Sequence, residues 1–180
     1  MTGPRLAAIV GPSGVGKDSL IAALAAADPR LRPIRRVITR PADGTEPFVS
    51  ATEEDFDAML AQGAFRLHWS AHGLRYGVPM SELAKLHPGQ TGLVNLSRGI
   101  LDVAARCSQT LIVLSVTAPA DVLAQRLAGR GRETEREIAD RLARPRPAPP
   151  QGVTVVEIDN GGSLDQAVGA ALSVLSEAAA

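Results

Sequence analysis

The stretch GPSGVGKDSL, Gly11 to Leu20, decides how the rest of the chain is read. Seven of the eight positions from Gly11 to Asp18 fit the phosphate-binding pattern G-x-x-x-x-G-K-[ST]. Gly11, Gly14 and Gly16 let backbone N–H groups turn onto a phosphate without Cβ clashes, and Pro12, Ser13 and Val15 complete the loop. Lys17 reaches the β- and γ-phosphates, and a following helix adds its positive dipole end. The flanks agree with this. RLAAIV, Arg5–Val10, reads as a short buried strand, and DSLIAALAAA, Asp18–Ala27, has helical spacing that stops at Asp28-Pro29.

The eighth position departs from the pattern. Where a hydroxyl normally meets magnesium, this chain has Asp18. A first-turn carboxylate gains about 0.3–1 kcal/mol from the helix end. Set about 4 Å from a phosphate oxygen, it would be repelled by about 4 kcal/mol at an effective dielectric of about 20. The repulsion is the larger effect, and a bridging Mg²⁺ removes it, since carboxylates suit that hard cation. Asp18 is therefore expected to be a metal ligand, with Ser19 as the alternative if the helix start shifts.

Farther out, the chain alternates strand and helix. Ile34–Thr39, Phe65–Trp69, Gly92–Leu96, Thr110–Val116 and Val153–Ile158 read as strands. Helices are expected after a capping box at Ser50 and Glu53 (ending at Gly63), over Met80–Leu86, over Pro119–Ala128, over Arg130–Arg144 and over Leu164–Leu175. PRPAPP, Pro145–Pro150, can only connect. This pattern predicts an α/β fold, a mainly parallel sheet with helices on both faces. One domain is expected, with its core in about residues 1–33, 89–128 and 151–180.

Composition narrows the function. With 180 residues, 45% of them hydrophobic, the chain can bury a core without disulfides, and Cys107 alone cannot form one internally. A reducing, cytoplasmic setting is expected. The apolar run Leu6–Val10 is too short to span a membrane. A net charge of zero favours neither nucleic acid nor a membrane surface as partner. Of the 19 cationic residues only Lys17 and Lys85 are lysines. A lysine at the one place where the motif needs a compact ammonium is not a compositional accident.

Five segments in order resemble the guanylate kinase family: GPSGVGKDSL, VITR (Val37–Arg40), HGLRYGVP (His72–Pro79), LVNLSRG (Leu93–Gly99) and RLAGRGRETEREIADRLAR (Arg126–Arg144). The resemblance implies a P-loop kinase with ATP as donor, Mg²⁺, an acceptor region at about 34–88 and an arginine lid at about 129–145. Guanylate kinases read guanine through two acidic residues, but here those positions hold His68, before Trp69, and the Asn95-Leu96-Ser97 segment. A site built for a guanine N–H edge does not tolerate losing its carboxylates. With HGLRYGV and VNLSR, the chain is more similar to the ribose 1,5-bisphosphate phosphokinase branch, which makes phosphoribosyl pyrophosphate in phosphonate breakdown. Kinases of this family are often dimers, so a homodimer is one expected partner.

The resemblance assigns Arg40, His68, His72, Arg75, Tyr76, Asn95, Ser97 and Arg98 to the acceptor. It assigns Arg130, Arg132 and Arg141 to the lid, with Lys17, Arg132 and Arg141 catalytic. Gly129 and Gly131 would let that lid close. Arg136 and Arg144 read as solvated helix residues. At most one of Arg35 and Arg36 is expected to face the site, and Trp69 to be core or pocket wall. A sugar phosphate acceptor is already ionised and needs no general base, and no catalytic triad or carboxylate pair is evident. Two other functions remain open: a guanylate kinase with altered base contacts, and a non-catalytic guanylate-kinase-like binding module.

Overall fold

The computed structural model describes residues 5–41, 44, 47–129 and 148–177. Strand β1 (Arg5–Val10) runs into the phosphate loop and helix α1 (Lys17–Ala27). Then come β2 (Leu31–Pro33), β3 (Val37–Ile38), β4 (Val49–Ser50), α2 (Glu53–Ala61), β5 (Phe65–Ala71), β6 (Leu74–Pro79) and the short α3 (Met80–Leu83). The rest is β7 (Thr91–Asn95), α4 (Leu101–Cys107), β8 (Thr110–Thr117), α5 (Ala120–Ala128), β9 (Thr154–Asp159) and α6 (Leu164–Glu177).

Five strands form one parallel sheet in the order β2-β7-β1-β8-β9. Period-2 alternation divides β1 between two cores. Ala7 and Ile9 face a cluster with Leu20 and Leu24 of α1, Leu123 of α5 and Ala167, Ala171 and Leu175 of α6. Leu6, Ala8 and Val10 face the other way, toward Leu101 and Ala104 of α4 and toward Leu67 and Val78. The last two belong to a second sheet, ordered β4-β3-β6-β5. One face of the parallel sheet is thus covered by helices, and the other by α4 together with that small sheet.

Several elements depart from the sequence expectation. The strand expected over Ile34–Thr39 shortens to Val37–Ile38, which pairs with β4 and β6, while the strand that pairs with β7 lies just before it, at Leu31–Pro33. The capping box lies two residues later than expected. Thr52 Oγ1 accepts the Asp55 N–H at 3.0 Å, and Asp55 answers to the Thr52 N–H. Ser50 is instead in β4, where its hydroxyl donates to the Arg40 carbonyl at 2.6 Å. Strand β6 was not expected from the sequence: Gly77 and Pro79 weaken the strand signal of its alternating Leu74, Tyr76 and Val78. Gly77 is required because the Phe65 ring fills the space of a Cβ there.

Glu82 of α3 fastens the second sheet's entry. Its carboxylate accepts the Arg35 backbone N–H at 3.2 Å and pairs with the Arg35 and Lys85 side chains. Burial pushes the Glu82 carboxyl up, but the hydrogen bonds from Lys85 and Arg35 outweigh it and hold it below the usual carboxylate range. A depressed carboxyl stabilises the fold above its unfolded pKa, and that contribution disappears as pH falls through the folded value. Glu82→Gln is therefore expected to cost about 1–2 kcal/mol at pH 7, with the difference shrinking as pH falls below the ordinary carboxylate range. Urea midpoints across pH check this.

Candidate active site

The loops that leave the carboxyl ends of β2, β7, β1, β8 and β9 share one edge of the parallel sheet, the usual ligand edge of such folds. At its centre is the phosphate loop. Lys17 Nζ donates to the carbonyls of Gly11 at 2.9 Å and Pro12 at 3.0 Å, folding its stem back over the loop. Gly16 is the N-cap of α1 with φ 91°, a left-handed conformation that favours glycine. A Cβ there would stand 2.6 Å from the amide nitrogen of Asn160.

Helix α1 begins at Lys17, so Asp18 holds the motif's hydroxyl position and Ser19 follows it, exposed. The half-buried Asp18 points toward β7. Asn95 Nδ2 donates to Asp18 Oδ1 at 3.0 Å, and among the described residues no hydrogen bond reaches Oδ2. Asn95, expected at the acceptor, thus ties the phosphate loop to the next strand. Ser97 precedes a short 3-10 turn that starts at Arg98, and both are half-buried on the same edge. Carboxylate and hydroxyl oxygens beside a phosphate loop suit magnesium.

Two further residues brace the loop and were not expected from the sequence. Asn160, at the end of β9 and 4% exposed, donates from Nδ2 to the Val15 carbonyl at 2.7 Å. Arg126, in the last turn of α5, donates to the Asn160 carbonyl at 3.0 Å and to Val15 O at 3.4 Å. These contacts close over more than thirty residues of sequence, so no local motif announces them. Asn160→Ala is expected to cost about 1–3 kcal/mol of stability by stranding a buried carbonyl. The lost melting temperature should be larger with ATP present than without, because the loop that binds it is loosened.

The pleat of the second sheet sorts the remaining residues. Tyr76 pairs with Trp69 in register, and the two rings stack at 5.3 Å and 8° on the face turned to the parallel sheet. A register shift between Phe65 and Leu67 sends Phe65 to the opposite face, where it stacks on Phe56 of α2 at 4.6 Å. His68 and Arg75 alternate onto that outer face as well. Arg75 lies over Phe56 at 4.4 Å and pairs with Asp57 at 2.6 Å and Glu53 at 3.3 Å. The structure therefore places His68 and Arg75 on the opposite face of the second sheet from Tyr76, although all three were expected at the acceptor.

His72 and Gly73 have φ 54° and 73° and form the two-residue turn between β5 and β6. That double left-handed geometry makes a type I′ hairpin, so the H-G dipeptide is turn chemistry. Arg40 follows β3, half-buried, with its guanidinium 4.6 Å from the Phe48 ring centroid. Of the pair Arg35 and Arg36, Arg36 takes the inner face, 9% exposed and 5.5 Å from the Tyr76 ring centroid. Arg130, Arg132 and Arg141, with Arg136 and Arg144, lie outside the described residues. No helix among the described residues is long and apolar enough to cross a membrane.

A parallel sheet, a phosphate loop at its carboxyl edge and a small second sheet beside it define a guanylate-kinase-like P-loop kinase fold. A solved guanylate kinase from Anaplasma phagocytophilum superposes with a TM-score of 0.68 over 98% of this chain and 87% of its own, at 14% identity. No family model matches the chain. Among curated proteins, the ribose 1,5-bisphosphate phosphokinase PhnN of Ruegeria sp. (strain TM1040) is 52% identical, covering 96% of this chain and 92% of that one. Its counterpart in Burkholderia pseudomallei (strain K96243) is 45% identical, covering 93% and 92%. The chain belongs to the ribose 1,5-bisphosphate phosphokinase family.

Proposed function

We propose that this chain transfers the γ-phosphoryl group of ATP to the 1-phosphate of ribose 1,5-bisphosphate, giving 5-phospho-α-D-ribose 1-diphosphate and ADP. The observation that carries this reading is the 52% identity, over 96% of the chain, to a kinase named for that substrate. The site's chemistry agrees. A bond forms between a 1-phosphate oxygen and the γ-phosphorus while the bond to the β–γ bridging oxygen breaks. The attacking oxygen is already ionised, so the reaction needs positioning and positive charge and no base.

The phosphate loop and Lys17 would hold the donor phosphates. Asp18, with Ser19 beside it, would hold Mg²⁺, which supplies charge neutralisation on the phosphates. Arg40 and Arg98 would flank the acceptor phosphate, with the Tyr76 hydroxyl as a further donor. Arg132 and Arg141 would supply cations from the lid, and Arg130 would contact ATP. A cytoplasmic location and a homodimer complete the reading.

Guanylate kinase activity is the competing reading, favoured by the fold alone. Asn95 speaks against it, since its amide is committed to Asp18 and offers guanine no carboxylate. Phosphorus NMR with ATP, Mg²⁺ and either ribose 1,5-bisphosphate or GMP decides between them. A new diphosphate resonance pair from the sugar with GMP inert is expected. Rapid GDP formation with the sugar inert would overturn the proposal, and ADP formation with neither would favour a binding module.

A further inference from the structure

An anion-binding loop works only if its peptide N–H groups, and not its carbonyls, face the phosphate. In a planar trans peptide the two point in opposite directions, so fixing one aims the other. At the Val15–Gly16 peptide the sequence leaves that choice open, because glycine tolerates either orientation at little steric cost. Gly16 sits at φ 91° and ψ 29°. Turned over, the peptide would set the Val15 carbonyl at the phosphate cradle in place of the Gly16 N–H.

Two side chains from outside the loop hold that carbonyl. Asn160 Nδ2 donates to Val15 O at 2.7 Å in a buried position, and Arg126 Nη1 reaches the same oxygen at 3.4 Å. Asn160 is in turn fixed through its own backbone. Its N–H donates to the Thr117 carbonyl at 2.8 Å, at the end of β8, and its carbonyl accepts Arg126 Nη2 at 3.0 Å. The packing leaves little play. A Cβ on Gly16 would stand 2.6 Å from Asn160 Nδ2, and one on Gly14 would stand 3.0 Å from the side chain of Leu127, next to Arg126 in α5. The Gly11 and Pro12 carbonyls, by comparison, accept from Lys17 within the loop itself.

We infer that Asn160 and Arg126 are positioning residues for phosphoryl transfer: by holding the Val15 carbonyl they keep the Gly16 N–H aimed at the donor phosphates. The inference rests on the donor half of the proposed function, in which the loop holds the phosphates of ATP, and is independent of the acceptor. Both side chains act through the peptide and not by touching the phosphate. A donor that is already aimed needs no reorganisation as charge develops on the transferring group, so its aim counts in turnover as well as in binding.

Tripolyphosphate, which has the phosphate chain of ATP and neither base nor sugar, isolates this effect. Asn160→Leu is expected to weaken binding of tripolyphosphate and of ATP by the same factor, about tenfold, in calorimetry at a temperature where the variant is fully folded. Turnover with ribose 1,5-bisphosphate at saturating ATP should fall about 10- to 100-fold. In amide NMR of the wild type, the Gly16 proton should move downfield when tripolyphosphate is added, and in the variant that movement should be lost. Arg126→Met should lose about threefold alone and little beyond Asn160→Leu in the double variant, because it acts chiefly through Asn160. Its side chain is half-buried, so it carries the same comparison where Asn160→Leu does not fold. A lower melting temperature with unchanged tripolyphosphate affinity and turnover would mean packing alone and overturn the inference. So would a loss with ATP that tripolyphosphate does not share, since a contact to base or sugar would then be the cause. Wild-type protein that binds both but turns nothing over strikes the acceptor reading, and the binding and NMR results still decide the inference. Wild-type protein that binds neither overturns the donor half of the proposed function, and the inference with it.

Discussion

Lys17→Met is expected to lower turnover about 10³-fold at saturating ATP, in line with the loss of a charge-stabilising donor at a transferring group. The melting temperature should change by about 2 °C or less, because the side chain is only half-buried and packs on no core cluster. The structure gives the reason for both halves. Nζ lies 2.9 Å and 3.0 Å from two carbonyls of its own loop, so the ammonium is already at the phosphate cradle before a phosphate arrives. Little reorganisation separates that arrangement from one in which it meets the transferring group. Lys17→Arg should not rescue the loss, since a planar guanidinium is larger and cannot fold back within the loop. Initial rates of ADP release for the two variants check this. Retention of more than a tenth of the wild-type rate by Lys17→Met would remove the lysine from the transfer step.

The phosphate loop was legible in the sequence because its function is a backbone shape. Three glycines and a lysine at fixed spacing specify it wherever a strand precedes and a helix follows. The buried strands β1, β7 and β8 were legible for a similar reason, as apolar runs between breakers. The acceptor side was less so. Whether His68 or Trp69 faces the site depends on a register shift between Phe65 and Leu67, which no local pattern records. The bulge turns Phe65 to α2, and the regular pleat beyond it then carries His68 and Arg75 away from Tyr76. Asn160 was hidden differently: its value lies in the Val15 carbonyl, 145 positions earlier in the chain. Arg36 was one of an adjacent pair, and only the turn of the chain from β2 into β3 separates it from Arg35, which pairs outward with Glu82.

Asp18→Ala is expected to change ATP affinity in opposite directions with and without metal. Without a divalent cation the wild-type carboxylate stands near the phosphates and repels them by about 4 kcal/mol at about 4 Å and a dielectric of about 20, so removing it should tighten binding of free ATP. With Mg²⁺ present the same carboxylate would, on the proposed reading, become a ligand, so removing it should weaken binding and raise the Mg²⁺ concentration for half-maximal rate by about 10²-fold. Asp18 is suited to this because Asn95 Nδ2 fixes Oδ1 at 3.0 Å and aims the carboxylate along the edge between β1 and β7. Asn95→Leu should therefore shift the metal requirement in the same direction as Asp18→Ala, but less, through loss of aim alone. Asp18→Ser restores the usual hydroxyl of the motif and should recover most of the metal response. Titration calorimetry with ATP, with and without Mg²⁺, reads the sign directly and needs no turnover. If Asp18 only completed the helix end, the alanine variant would lose about 0.3–1 kcal/mol of stability and its ATP affinity would move the same way under both conditions. A reversal of sign can come only from a carboxylate that faces the phosphates and a cation that stands between them.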